Sequence, residues 1–132
     1  MSTDPMGLTR RLAAFAAGLR YEDLPPEVAD AVKRIALDTV GTALAATALG
    51  DGCAEASAVA RGAGGAAEAS LIGYGVKAPA LTAAFVNGAT SHALNYDPLG
   101  GSGGHLGVST LPSTLAAAER RRSVGGAEFV AA

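Results

Sequence analysis

The chain has no tryptophan, one cysteine, two histidines and only 5% aromatic residues in 132 positions. A single cysteine rules out an internal disulfide framework and fits a reducing, cytoplasmic setting. Cys53 lies among small residues and reads as a small apolar core side chain rather than a nucleophile. No segment approaches the roughly 18 consecutive apolar residues needed to cross a bilayer, so no membrane association is expected. The first residues are polar and carry Asp4, so no signal peptide is expected. Charged residues make up 17% and the net charge is -2, which excludes the basic stripe that nucleic acid requires. The basic pairs and triplet, Arg10-Arg11, Lys33-Arg34 and Arg120-Arg121-Arg122, fall at helix ends or on solvated faces.

What remains is alanine and glycine. The apolar share is 49%, but alanine supplies much of it, so helices must approach closely to bury anything. The length suits one domain, and a domain near this size buries roughly two-thirds of its unfolded surface. Helical spacing of Leu8, Leu12, Phe15, Ala16 and Leu19 predicts a first helix over Gly7 to Arg20. Pro25-Pro26 open a second, with Glu27 at the positive end of its dipole. Its stripe of Val28, Ala31, Val32, Ile35, Thr39, Ala43 and Ala46, widened by Leu37, Val40 and Leu44, predicts a buried helix. Gly41 within it implies close contact with a neighbouring helix. Cys53 to Arg61 reads as a short third helix, and Ala69 to Tyr74 as the one extended piece. Lys77-Ala78-Pro79 leads into a fourth helix with Leu81, Ala84, Phe85, Gly88 and His92 along one face. Ser109-Thr110-Leu111-Pro112 starts a fifth, with a hydroxyl cap and proline in the first turn. A sixth begins at Ala127 and runs to Ala132 without a stop signal, so the chain reads as cut rather than finished.

Chemistry concentrates between Thr90 and Pro112, which holds both histidines, Asp97 and a glycine-rich loop. His92 falls near the end of the fourth helix and reads as a structural histidine bonded to a carbonyl. His105 follows Gly103-Gly104, so its backbone is poorly fixed by local sequence, and such a histidine is either solvated or aimed. Histidine can give or take a proton near neutrality. Asp97, held by the following Pro98, could orient a histidine or substrate, or simply start a turn. The loop carries no phosphate-binding signature and no nearby lysine. The spacing of His92 to His105 matches no compact zinc motif, so no metal is expected; no other cofactor is expected either.

Several stretches together resemble the N-terminal part of the MmgE/PrpD family, which includes 2-methylcitrate dehydratase, cis-aconitate decarboxylase and iminodisuccinate epimerase. They are Leu12-Ala13-Ala14-Phe15-Ala16, Leu24-Pro25-Pro26-Glu27-Val28 and Lys33-Arg34-Ile35-Ala36-Leu37-Asp38-Thr39-Val40-Gly41. Further along come Ala83-Ala84-Phe85-Val86-Asn87-Gly88 with His92-Ala93-Leu94, and Leu111-Pro112-Ser113-Thr114-Leu115-Ala116-Ala117-Ala118-Glu119. The resemblance implies an all-α fold, the N-terminal part of a large helical domain whose smaller α+β lid domain is not in these residues. It also implies a homodimer or a complementing chain. The expected chemistry is metal-independent proton transfer next to a carboxylate of a small di- or tricarboxylic acid.

The family motif after the fourth helix reads approximately H-x-x-D-[YF]-D-D-T, a short loop, then H-P-S. Here Asn95 stands in place of the first acid, Asp97 matches the second, and Pro98-Leu99 replace the following Asp-Thr. His105 matches the active-site histidine, but Leu106-Gly107 replace Pro-Ser. The resemblance thus assigns proton transfer to His105 and substrate contacts to Asp97, Asn95 and His92. Two readings stand at this point. One is the first segment of a lyase or isomerase, inactive until completed. The other is a non-catalytic helical module, truncated or degenerate, that only pairs with a partner.

Overall fold

Prolines set two of the helix starts where the sequence places them. Pro25 and Pro79 occupy the N-cap positions of helices two and four, where a missing N–H costs nothing. The computed structural model describes residues 7–100 and 104–132. In chain order these form α1 (Gly7–Gly18), a 3-10 turn at Tyr21–Asp23, α2 (Pro26–Leu49) and α3 (Cys53–Gly62). Then come strands β1 (Ala69–Leu71) and β2 (Val76–Ala78), and helices α4 (Ala80–His92), α5 (Gly107–Arg121) and α6 (Gly126–Ala131). The fold is mainly helical, as the periodicity predicts. The expected extended piece has a partner that the sequence reading assigned to the approach to α4. β1 pairs antiparallel with β2, Ser70 opposite Lys77, in the only sheet of the described residues. Gly73 and Gly75 take left-handed backbone angles of +81° and +66° in the turn between them, which glycine adopts without strain.

Helices α4 and α5 lie against each other, with α2 on α4 and the hairpin across both. The cluster they enclose consists of Ala60, Ala69, Leu71, Ala78, Ala80, Ala83, Val86 and Ala116. Small side chains let the backbones approach. Polar anchors then hold the hairpin in place. Asn87 of α4 accepts the Ile72 N–H at 2.9 Å and donates to the Ser70 carbonyl at 2.8 Å. Glu119 of α5 accepts from both the N–H and the hydroxyl of Ser70. Glu68, just before β1, accepts the Ala80 N–H at 2.9 Å and so caps α4, a service Pro79 cannot supply.

Several expectations need correction. Helix α5 starts at Gly107, not Ser109, and Pro112 lies inside it. The hydroxyls of Ser109 and Thr110 donate back to the Leu106 carbonyl instead of capping. Pro112 has no N–H for the carbonyl of Val108 four residues earlier, and that carbonyl faces Gly88 of α4, where an added Cβ would lie 3.1 Å away. Gly41 has open space around it rather than a neighbouring helix; among the glycines within helices, the close approaches occur at Gly88 and at Gly107. The large apolar stripes also face outward. Leu81 and Phe85 are 85% and 75% exposed, while the opposite face of α4, with Ala83, Val86, Asn87, Thr90 and Ser91, is buried. On α2 the buried residues are Ala29, Thr39, Thr42, Ala43 and Ala46, leaving Leu37 and Leu44 exposed, and α1 buries none. Small and hydroxylated residues win the interior because they permit the closest helix contact.

Candidate proton-transfer site

The end of α4 fixes the first half of the site. Ser91 and Thr90 are buried and donate to carbonyls one turn back, at 2.6 Å to Asn87 and 2.9 Å to Val86. That places His92, the last helical residue, at the rim. The chain then reverses at Asn95, which adopts φ of +54° and donates its N–H to the His92 carbonyl at 2.9 Å. Asparagine tolerates this left-handed geometry better than most residues. The reversal turns the side chain of Asp97 inward, where it is fully buried.

The glycine loop supplies the second half. The Gly100 N–H donates to the Gly104 carbonyl at 2.8 Å, closing the loop at its base. His105 is thereby returned to Asp97. Gly107, the next anchor, meets α2 so closely that an added Cβ would lie 3.0 Å from Thr39 Oγ1. That hydroxyl oxygen is buried and has no partner among the described residues.

Both histidines converge on the one carboxylate. Asp97 Oδ1 lies 2.8 Å from His92 Nδ1, and Oδ2 lies 2.6 Å from His105 Nδ1. The two rings meet edge to face, centroids 4.7 Å apart at 65°. Burial pushes the Asp97 carboxyl up, but hydrogen bonds from His92 and His105, its own backbone N–H and the charge of His105 outweigh it and hold the group below the usual carboxylate range. An ionised carboxylate only accepts hydrogen bonds. Each ring therefore donates Nδ1–H to Asp97, which leaves each Nε2 as the nitrogen free for other chemistry.

The sequence reading of His92 as a packed histidine bonded to a carbonyl is thus replaced: its side chain is 49% exposed and its ring is held by a carboxylate. His105 is 30% exposed. Asn95 stands on the reversal beside them and is exposed. Sequence reasoning missed Asn87, whose signal was a polar residue in an apolar helical run. Among the described residues, His92, Asp97 and His105 also form a set whose potential ligand atoms lie within 4.8 Å of one another. As arranged, both Nδ1 atoms and both carboxylate oxygens are spent on each other. A cation bridging them would have to displace both hydrogen bonds.

Cys53 is buried, and burial, with Glu55 and Asp51 nearby, pushes its thiol up, away from a reactive thiolate. Arg120 and Arg121 pair with Glu68 and Glu128 at 3.5 and 3.0 Å and form no unpaired basic patch. No helix of the described residues is long and apolar enough to cross a membrane.

The described residues thus form a mainly helical domain in which one buried aspartate orients two imidazoles. The MmgE/PrpD N-terminal domain matches residues 10–132, and the chain belongs to the MmgE/PrpD family as an N-terminal portion. No curated protein and no solved structure matches the chain.

Proposed function

We propose that this chain supplies the N-terminal part of a lyase or isomerase acting on small di- or tricarboxylic acids, by proton transfer next to a carboxylate. The observation that carries the reading is the hydrogen bond from His105 Nδ1 to buried Asp97, which fixes the ring and leaves Nε2 free. His105 is the proton-transfer residue, Asp97 its positioning residue, and Asn95 and His92 border the substrate. The reaction needs no metal or other cofactor. The setting is cytoplasmic, and the working protein is a homodimer or is completed by further chain that brings the lid and cationic groups for the substrate carboxylates. Turnover of a panel of such acids by the completed protein tests it. His105→Ala should lower kcat by about two to four orders of magnitude, the usual contribution of a general acid or base. Unchanged turnover would overturn the assignment.

A second reading is a non-catalytic pairing module. The exposed faces of α4 (Leu81, Phe85) and α1 (Leu8, Leu12, Phe15) favour it, as do the replacements Asn95, Pro98 and Leu99 in the site loop. Association alone fits either reading, so light scattering does not separate them; a completed protein that associates yet turns over no acid of the panel selects the second.

A further inference from the structure

We propose that His92 is a second proton-transfer residue, acting as the acid while His105 acts as the base; this rests on the reading of the site given above. Three observations lead to it. His92 uses the same ring nitrogen as His105 to reach the same carboxylate, at 2.8 against 2.6 Å. Its side chain is the more exposed of the two, 49% against 30%, so it is a surface-facing group rather than a buried brace. Its ring lies edge to face with that of His105, centroids 4.7 Å apart, so both imidazoles stand beside one another within the span of one small substrate. A histidine whose only task was to hold Asp97 would need neither this exposure nor this ring contact.

The pair suits elimination of water from a β-hydroxy acid. Nε2 of His105 accepts the proton from the carbon beside the carboxylate. The C–H electron pair is first held as the enolate of that carboxylate and then becomes the carbon–carbon double bond. The neighbouring C–O bond breaks, and the departing hydroxyl takes the proton from Nε2–H of protonated His92, leaving as water. One proton enters the pair and one leaves it, so the pair returns to its starting state when the proton passes from His105 to His92 through solvent. Asp97 keeps its place between the rings throughout and neither gains nor loses a proton.

The discriminating variant is His92→Asn. The asparagine amide can still donate to Asp97 in place of Nδ1–H but has no counterpart of Nε2. In the completed protein, with malate, citrate and 2-methylcitrate as probes, His92→Asn should slow elimination by about 10²-fold or more. Exchange of the substrate C–H with solvent deuterium should persist, and the melting temperature should stay near that of the parent. His105→Asn should abolish both elimination and exchange. Parental elimination by His92→Asn would overturn the proposal and leave His105 as the sole proton-transfer group. Loss of exchange together with elimination in a folded His92→Asn would also overturn it, because the acid step would then not be separable. Parental turnover by His105→Asn, or no turnover of any probe by the parent, would overturn the underlying reading itself.

Discussion

Asp97 and His105 are eight positions apart and meet at 2.6 Å, with a glycine loop between them whose base is closed by one backbone hydrogen bond. The contact gives an otherwise loosely held loop histidine a fixed ring orientation. His92 reaches the other oxygen of the same carboxylate from the end of α4. The site is therefore assembled by a helix end, a left-handed reversal and a loop closure, each supplied by a short local segment.

Replacing Asp97 by Asn should disable the site without emptying it. An amide oxygen can accept from one ring, but the amide N–H would face the other, and that ring would have to change tautomer to accept it. Turnover by the completed protein should fall by about 10²- to 10⁴-fold, as expected when an imidazole base is held in the wrong tautomer. Steady-state kinetics of Asp97→Asn beside the parent checks this.

Stability should fall in acid through Asp97. Its carboxyl is held below the ordinary value of 3.8 in the folded chain. The unfolded chain therefore takes up the proton first as pH drops. The stabilisation is fully present above that ordinary value and is lost as pH falls through the lower folded one. Thermal melts of the parent from neutral pH down to about pH 3 should show a steeper fall than those of Asp97→Asn. Parallel curves would contradict the assigned cause.

Asn87 should be the most sensitive anchor away from the site. Asn87→Ala leaves the Ile72 N–H and the Ser70 carbonyl without their partner. Each buried backbone group so stranded costs about 1–3 kcal/mol. Denaturant unfolding of Asn87→Ala should show a loss in that range or above, whereas Leu81→Ala, at an exposed position, should lie within about 0.5 kcal/mol of the parent.

The helices were legible because proline and periodicity speak locally. Pro25, Pro26 and Pro79 mark starts that the structure keeps. Pro112 misled because α5 begins five residues earlier, and its tolerance depends on the freed Val108 carbonyl facing Gly88 of another helix. The second strand was missed for a similar reason: Val76–Ala78 is three residues long and is a strand only because β1 lies beside it. Which side of α4 is inside was also illegible. Hydrophobicity favours Leu81 and Phe85, but the close approach of α5 selects Ala83, Val86 and Asn87. Within the site, residue identities were readable and their pairing was not. Nothing in the spacing of His92, Asp97 and His105 reveals that Asn95 turns the chain back so that one carboxylate serves two rings.

The most direct measurement is nitrogen NMR of the imidazole rings. The chain has two histidines, so two ring systems appear, and His92→Asn assigns them. At neutral pH both should carry the proton on Nδ1, with the Nδ1 protons shifted downfield by their bonds to Asp97; in Asp97→Asn, whose amide oxygen can accept from one ring only, at least one of the two shifts should collapse. A ring protonated only at Nε2, or a pair of rings indifferent to Asp97→Asn, would contradict the claim that this aspartate orients an acid–base pair.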